Sequence, residues 1–470
     1  MRSRLLLCLA AAASATGAGW ELLGPFGGSA AIVVIDPHHG DTLLAATRNA
    51  QIFRSEDGGD SWKPLPFPAE FRSTLHALAV DRQNAGVYFV GLSSETPEYS
   101  GIMRTSDSGL TWDRIQEPEL RAVWSLAIWP LDSRVIAAGS EDGLMLTRDG
   151  GASWERITPP DDPELRPVVS LAFDPWDSEI LYAGTPRLAW KTADGGETWQ
   201  SIHGGMLEDS DVFSLLIDPR RPNRIFAATC GGIYRSIDSG AGWRKLREAK
   251  GASFRTYHIA QNPLEPNVLL AGTTLGLIKS VDSGNTWRRL STQSTRWISF
   301  DPGRPDRVYI ATDDDGLFRS DDAGESLEAI NQGFSSRRFA TLATVESALY
   351  VTTLTTSGSA ILRRSESESQ WNELSDGSPL STDPAISPFS KAVLDDFSIY
   401  NTVTTGDGDL FAATSRGLAK SRDAGSTWQF VPGMLGNTTV SALCSHPART
   451  GVLFASLFGE IFQTWDSGHI

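Results

Sequence analysis

The chain has 470 residues, of which 41 are Lys or Arg and 57 are Asp or Glu, so its formal net charge is −16 and its pI is near 4.9. A nucleic-acid binder needs a concentrated basic surface, and this acidic balance excludes nucleic acid as an expected partner. Hydrophobic residues make up 40% of the chain and charged residues 21%. This composition supports a substantial core and excludes a disordered protein.

Residues 1–18 have the composition of an export signal. Arg2 and Arg4 precede an apolar run at 5–13, which small residues follow. The run is too short to span a bilayer, and no later stretch is long enough to do so. We therefore expect a signal peptide at 1–18 and a secreted or periplasmic protein that begins near Gly19 and has no transmembrane segment.

Two cysteines, Cys230 and Cys444, remain once residues 1–18 are removed. Two cysteines cannot form a disulfide framework, even in an oxidising compartment. We expect both to be small buried apolar residues, and the sequence leaves open whether they form a bridge.

An eight-residue pattern, Ser/Thr-x-Asp-x-Gly-x-Ser/Thr-Trp, recurs along the chain at intervals of 40 to 57 residues. Two further copies are degenerate, at 320–327 and 364–371, and a tenth is cut short at Ile470. The clear copies supply seven pairs of Asp and Trp: Asp57 and Trp62, Asp107 and Trp112, Asp149 and Trp154, Asp194 and Trp199, Asp238 and Trp243, Asp282 and Trp287, and Asp423 and Trp428.

Each repeat has room for about four short strands and shows no helical periodicity. In the fourth repeat, β-branched and aromatic residues predict strands at Val168–Phe173, Ile180–Thr185, Leu188–Thr192 and Trp199–Ile202. Four strands per unit, repeated about ten times without helices, predict an all-β protein whose residues 19–470 form a β-propeller of four-stranded blades.

The eight-residue boxes resemble the Asp-box (BNR) motifs of sialidases, xyloglucanase-type glycosidases, sortilin-type propellers and photosystem II assembly factors. In those families the boxes lie on the propeller side away from the ligand. A calcium loop needs several oxygen ligands within a dozen residues, and each box offers one or two. We therefore expect the box Asp and Trp residues to be structural, with no metal and no cofactor.

The chain ends predict how the blades close. The segment 19–23 is similar to the strand that follows a box at 242–246, while the tenth box lacks that strand. We expect the N-terminal strand to complete the last sheet and to close a single ten-bladed ring, which resembles the sortilin-type domain. Two smaller propellers, as in xyloglucanase-type enzymes, are the alternative.

Ligands are expected at the loops between second and third strands and at the loops that enter each innermost strand, since these share one face. A Ser/Pro/Asp-rich segment at 375–397 is the largest departure from the period and is interpreted as a binding lid or a surface loop. The candidate ligand-face residues are Arg48, Asn49, Glu141, Asp142, Arg187, Asp313, Asp314, Asp315 and Arg416.

The segment 312–319 is similar to the one that carries a catalytic Asp in xyloglucanase-type enzymes, which makes Asp313 a candidate acid. A glycosidase needs two carboxylates. Thr47 is followed by Arg48 where the resemblance implies an acid, and Glu141, the other candidate, is expected four blades from Asp313. The early Arg-Ile-Pro-like segment that a sialidase requires is also missing.

We therefore expect no catalytic residues. The preferred function is that of a monomeric, non-catalytic propeller that binds a protein, peptide or polysaccharide through its loop face. A glycoside hydrolase of xyloglucanase-like or sialidase-like type is the alternative.

Overall fold

The computed structural model describes residues 24–117, 119–159, 163–207, 210–246, 254–345, 348–355, 359–365, 368, 370–373, 399–406, 408–425, 427–431, 435, 439–446, 449, 452–457 and 460–464. The chain divides into two compact units. In the described part, residues 29–336 form the first unit, and residues 24–28 belong with those after 336 to the second.

The first unit consists of seven four-stranded antiparallel sheets, each built from four consecutive strands. The innermost strands are Ile32–Ile35, Thr74–Val80, Val123–Ile128, Ser170–Phe173, Val212–Ile217, Thr256–Gln261 and Thr295–Phe300. The second strands are Leu43–Ala46, Tyr88–Ser93, Ile136–Ser140, Leu181–Thr185, Ile225–Thr229, Leu269–Thr273 and Val308–Thr312. The third strands are Ile52–Ser55, Gly101–Thr105, Gly143–Thr147, Leu188–Thr192, Gly232–Ser236, Gly276–Ser280 and Leu317–Ser320. The outermost strands are Lys63–Pro64, Asp113–Arg114, Glu155–Arg156, Gln200–Ser201, Arg244–Lys245, Arg288–Arg289 and Glu328–Ala329.

We number these sheets blade 1 to blade 7 in chain order. Their second strands are buried almost throughout, as in Ile225–Thr229, because both faces of each sheet pack against a neighbouring sheet. The core is therefore divided into clusters between blades. Between blades 4 and 5, for example, Tyr182 and Ile202 pack with Ile225 and Trp243. Two single-turn 3-10 helices, Pro97–Tyr99 and Pro163–Leu165, lie in loops.

The seven blades close into a ring. Each innermost strand contacts the next in chain order, and Thr295–Phe300 of blade 7 contacts Ile32–Ile35 of blade 1. At this interface the backbone N–H of Trp62 donates to the Gln332 carbonyl at 2.8 Å, and the Trp62 indole Nε1 donates to the Ile330 carbonyl at 2.7 Å. The predicted count of ten blades in one ring is not confirmed. The seven blades of residues 29–336 already close on one another, and each is built from its own four strands without a strand from the N-terminus.

The second unit carries sheets of the same kind. One sheet comprises Arg338–Val345, Ala348–Leu354, Ser359–Ser365 and Asn372–Glu373, and another comprises Ile399–Thr404, Leu410–Thr414, Leu418–Ser421 and Gln429–Phe430. A third contains Ala442–Ser445, Leu453–Leu457 and Glu460–Thr464. Short strands at Gly27–Gly28 and Ser335–Ser336 lie where the chain passes from one unit to the other. The predicted closing strand at 20–23 lies outside the described residues.

The boxes form the turns between third and outermost strands. In the first box, Ser55 Oγ donates to Asp57 at 2.7 Å and accepts from the Gly59 N–H at 2.8 Å, while the Ser61 N–H donates to Asp57 at 2.9 Å. Such hydrogen bonds, above all from the side chain at the seventh box position, lower the pKa of Asp107 and Asp194 to about 2. The box carboxylates therefore have all their described partners within their own turns.

The degenerate box at 320–327 keeps this geometry although its Trp is replaced by Leu327. Asp322 accepts from Ser320 Oγ at 2.7 Å and from the Ser326 N–H at 2.8 Å. The sequence pattern undervalued this box because it weighted the tryptophan, whereas the turn depends on the Ser and Asp.

Two expectations about individual features can be compared directly with the structure. The expectation that both cysteines are buried is wrong, since Cys230 is half-buried and Cys444 is exposed. Within the described residues, no helix has the length and apolar character needed to cross a membrane.

Candidate functional site

The site on the loop face begins with a repeated backbone irregularity. In five of the seven blades, the innermost strand has a β-bulge near its first residue, next to the loop that joins it to the preceding blade. In blades 1 and 4, the N–H groups of Ala31 and Val169 donate to the second strand at the equivalent position. A bulge turns its extra side chain out of the regular alternation of the sheet.

Seven residues, one from each blade, occupy this position, and each is half-buried and directly follows a buried residue. We call them the mouth ring: Ala31, His76, Trp124, Val169, Phe213, Tyr257 and Arg296.

Along one arc of the mouth ring, two aromatic rings lie between two arginines, and one of these, Arg255, belongs to the loop that leads into the innermost strand of blade 6. The Arg255 guanidinium lies 5.4 Å from the Phe213 ring centre, and the Phe213 and Tyr257 rings are 6.1 Å apart. The Arg296 guanidinium covers the Tyr257 ring at 3.8 Å, a cation–π contact. This arc spans blades 5, 6 and 7.

Asp313 fixes the end of that arc. Its side chain accepts from Arg296 Nε at 2.5 Å and from Ser294 Oγ at 2.6 Å, and the residue is only 7% exposed. Both carboxylate oxygens are therefore already engaged by the protein. Asp313 holds Arg296 in place across the Tyr257 ring.

Arg48 extends the arc into blade 1. Desolvation and the neighbouring charge of Arg296 lower the pKa of Arg48, while Asp313 and Tyr257 act in the opposite direction. Among the described residues, no carboxylate forms an ion pair with Arg48 or Arg255. Two cations of the mouth are therefore left for an external anion.

The opposite arc, on blades 2 to 4, is apolar and aromatic. The His76 ring lies 4.2 Å from the Trp124 ring and is hydrogen-bonded to Ser93 Oγ at 2.7 Å. Desolvation, with a contribution from Arg48, lowers the pKa of His76 to about 4. The buried Trp124 Nε1 has no hydrogen-bond partner.

A second histidine lies one residue further along the innermost strand of blade 6. His258 stacks on Trp297 of blade 7 with ring centres 4.0 Å apart, and its Nδ1 has no partner. Burial lowers the pKa of His258 to about 4. Both histidines are neutral near pH 7, so the positive charge of the mouth comes from arginine.

The loop of blade 7 places Asp313 because it is one residue longer than its counterparts in blades 3 to 6. In blades 3, 5 and 6, a Ser or Thr hydroxyl at the end of the second strand donates to the carbonyl of a glycine three residues later, as from Thr273 to Gly276 at 2.7 Å. In blade 7 the bond from Thr312 reaches Gly316, four residues later, at 2.8 Å. The extra residue lets Asp313 turn back onto Arg296.

The remaining sequence-predicted residues have different surroundings. Asn49 is hydrogen-bonded to the Thr47 hydroxyl in the loop of blade 1, beside Arg48. Asp314 and Asp315 follow Asp313 in the same loop, and Arg416 is exposed in the second unit. Glu141, Asp142 and Arg187 are exposed in the corresponding turns of blades 3 and 4. The segment 375–397, predicted as a lid, lies outside the described residues.

Closure after seven blades changes the predicted separation of Glu141 and Asp313. They lie in blades 3 and 7, three blades apart by the shorter way around the ring and nearly opposite each other. The structure does not bring these two candidate acids together.

Sequence reasoning missed the mouth residues Phe213, Arg255, Tyr257 and Arg296. Their signal was available only after alignment of the innermost strands, where Phe213, Tyr257 and Arg296 each come directly after the first residue of a bulged strand and Arg255 directly precedes such a strand. Without the bulge register, these residues cannot be distinguished from strand residues that face a core.

In chemical terms the mouth supplies guanidinium groups and aromatic faces, while Asp313 is already engaged. Such a set favours an anion with an apolar neighbour. In the described part of the chain, no group of three or more His, Cys, Asp or Glu side chains is placed to hold a metal ion.

Comparison with known proteins agrees with the fold. A family model described as "Sortilin, neurotensin receptor 3" matches residues 100–203. No curated protein sequence matches the chain.

Solved structures are similar over much greater lengths. The GH74 xyloglucanase from Xanthomonas campestris has a TM-score of 0.62 and 16% identity, covering 96% of this chain and 80% of its own. A Niastella koreensis GH74 enzyme has a TM-score of 0.58 and 14% identity, and the match covers 95% of this chain and 92% of the enzyme. YCF48 bound to D1 peptide has a TM-score of 0.50 and 17% identity, and the match covers 64% of this chain and 95% of YCF48.

At these identities the likeness defines the fold alone. The chain is a β-propeller of the Asp-box type, a class that includes both hydrolases and proteins that bind peptides.

Proposed function

We propose that the seven-bladed unit is a non-catalytic binding module that takes an acidic segment of an extended chain, preferably a peptide, at the mouth ring. The observation that carries this proposal is the cationic arc, in which Arg48 and Arg255 have no ion-pair partner among the described residues. A secreted or periplasmic protein would meet such segments outside the cytoplasm.

A peptide complex of a propeller with this fold supports the peptide class, since YCF48 is similar to this chain and binds the D1 peptide. The surroundings of Asp313 support a non-catalytic role. Contact with a glycosidic oxygen would require breaking its bonds to Arg296 and Ser294, and Glu141 lies across the ring.

The test uses fluorescence anisotropy with a fluorescein-labelled tetraglutamate peptide and a neutral Gly/Ser peptide of equal length. We expect the full chain to bind the acidic peptide and not the neutral one, and we expect this binding to weaken as the salt concentration rises. Arg48→Gln and Arg255→Gln should each weaken binding about tenfold, because each removes a charge-assisted contact.

Arg82→Gln is the matched control, since Arg82 is exposed in a loop on the box side of blade 2. It should leave binding unchanged. Equal binding of the acidic and neutral peptides, or equal loss in all three variants, would refute the mouth as the binding site.

The hydrolase alternative is tested by assays on xyloglucan, cellulose and sialosides. We expect no turnover by the full chain or by Asp313→Asn. Turnover that Asp313→Asn abolishes would make Asp313 a catalytic acid or base and overturn the binding role.

A further inference from the structure

Phe71, in the loop from blade 1 to blade 2, has an unusual backbone and an unusual environment. Its φ is +58°, in the left-handed region, and its side chain is 67% exposed. A bulky residue in this region is a conformational outlier that costs free energy. An exposed phenylalanine gains no burial that would offset the strain.

Other non-glycine residues with positive φ have a repeated structural reason. Five of them occupy the same box position, directly before the box glycine: Ser108, Ser239, Ser283, Ala323 and Ala424. Ala50 is buried, and Leu188 begins a strand. Phe71 shares none of these reasons.

The loop around Phe71 is braced from both sides. Ser73 Oγ donates to the Tyr99 carbonyl at 2.5 Å, Ser94 Oγ donates to the Arg72 carbonyl at 2.7 Å, and the Arg72 guanidinium lies 4.9 Å from the Tyr99 ring centre. Strain persists where the surroundings fix a conformation in this way. The bracing residues Ser94 and Tyr99 belong to the loop between the second and third strands of blade 2.

The braced loop also adjoins the mouth. The Phe71 N–H donates to the Asn49 carbonyl at 2.8 Å, and the Leu75 N–H donates to the Arg48 carbonyl at 2.9 Å. The loop that carries Phe71 is thus fastened to the loop that carries Arg48. An exposed aromatic ring and a cation without an ion-pair partner lie on adjoining loops of one face.

We propose that Phe71 forms an aromatic subsite next to the mouth ring, which takes an apolar or aromatic side chain of the same peptide whose acidic group contacts Arg48. This inference rests on the proposed function and specifies its ligand as an acidic peptide with a nearby aromatic residue. The strained backbone keeps the ring exposed for that contact.

The experiment compares two fluorescein-labelled peptides, Gly-Phe-Gly followed by four glutamates and Gly-Ala-Gly followed by four glutamates. We expect the full chain to bind the phenylalanine peptide about tenfold more tightly, as a buried aromatic contact contributes at an interface. Phe71→Asn should remove this preference and leave binding of the alanine peptide unchanged.

Stability gives a second readout that a purely structural role for Phe71 would not produce. Asn tolerates the left-handed region of the backbone, so Phe71→Asn should raise the Tm by about 1 to 3 °C. The same substitution should weaken the binding of the phenylalanine peptide. Phe71→Ala should lose the preference without that rise. Leu207→Asn, at another exposed apolar residue of the loop face, is the matched control and should keep the preference.

Each outcome separates the two proposals. If both peptides bind the full chain equally, the aromatic subsite is wrong and the cationic mouth stands. If neither peptide binds, the mouth and the subsite are both wrong. A preference that survives in Phe71→Asn assigns the aromatic contact to another residue and overturns the role of Phe71.

Discussion

Single residues determine what the mouth can bind and at which pH. His76 and His258 each lie against a tryptophan, at 4.2 Å and 4.0 Å between ring centres, and both have pKa values near 4. Protonation of either ring would place another cation beside the arginine arc, in a site that solvates charge poorly. The positive charge of the mouth should therefore be constant between about pH 5 and 8, because it comes from guanidinium groups.

The lowered pKa of His258 predicts a specific loss of stability in mild acid. The folded value is about 4, and an unfolded histidine has a pKa near 6.5. Between these values the unfolded chain binds a proton that the folded chain does not, so the free energy of unfolding falls as pH falls, by up to about 1.4 kcal/mol per pH unit. In urea titrations from pH 7.5 to 5, His258→Gln should show a shallower decline than the wild type.

His39→Gln serves as the control for this measurement, since His39 is exposed on the box side. Its pH profile should follow that of the wild type. Parallel profiles for His258→Gln and the wild type would mean that His258 is protonated equally in the folded and unfolded states.

At the scale of the repeat, each box contacts the preceding blade through its glycine and tryptophan. Gly240 has φ +92°, and a Cβ there would lie 2.6 Å from Ile202 Cδ1 of the preceding blade. Two hydrogen-bond patterns occur among the box tryptophans, and Trp154 Nε1 has neither. Trp62, Trp199 and Trp243 donate to an isoleucine carbonyl of the preceding blade, whereas Trp112 and Trp287 donate to a glycine carbonyl within their own box.

The two patterns predict different costs for the same substitution. Trp199 Nε1 donates to the Ile157 carbonyl at 2.7 Å, and Trp287 Nε1 donates to the Gly284 carbonyl at 3.1 Å, while both side chains are half-buried. Trp199→Phe leaves an inter-blade carbonyl without its donor and should cost about 1 to 3 kcal/mol beyond the loss of ring area. Trp287→Phe should cost less, as measured by urea unfolding at pH 7.5. Equal losses of unfolding free energy in the two variants would show that the indole N–H contributes nothing and that the ring stabilises the blade only by apolar packing.

The repeat could be predicted from sequence because its signals are local. The strands expected at Ile180–Thr185 and Leu188–Thr192 are present within one residue, since β-branched and aromatic residues flanked by turn residues specify them. The outermost strand is shorter than expected, at Gln200–Ser201, because Trp199 turns inward to the preceding blade.

The mouth could not be predicted in the same way. Its members come from seven blades, and their proximity depends on the bulge register and on the number of blades in the ring. Arg48 was recognised as a loop residue, but its electrostatic interaction with Arg296 acts across the closing interface, between residues that are far apart in sequence. The length of the blade 7 loop, which orients Asp313, is a local clue that the sequence contained.

For the seven-bladed unit as a whole, ring closure depends on whether the last interface is built like the others. Arg235 of blade 5 donates to the Ser283 carbonyl in the box of blade 6 at 2.8 Å. Arg319 occupies the same strand position in blade 7 and donates to the Gly58 carbonyl in the box of blade 1 at 3.0 Å, with Asp60 at 2.7 Å. Ser29 and Ser336, at the two ends of the unit, are joined by a backbone hydrogen bond of 3.4 Å.

This equivalence predicts that residues 29–336 fold alone as a closed monomeric ring and that the closing interface contributes as much as an internal one. In that fragment and in the full chain, Arg319→Ala and Arg235→Ala should each lower the free energy of unfolding by about 1 to 3 kcal/mol, because each removes a hydrogen bond from a charged donor to a box carbonyl. Urea unfolding followed by tryptophan fluorescence measures both, and sedimentation reports the oligomeric state. A large effect of Arg235→Ala with none for Arg319→Ala would mean that blades 7 and 1 do not close in solution, and Arg48 would then not lie beside the arginine arc to which peptide binding is assigned.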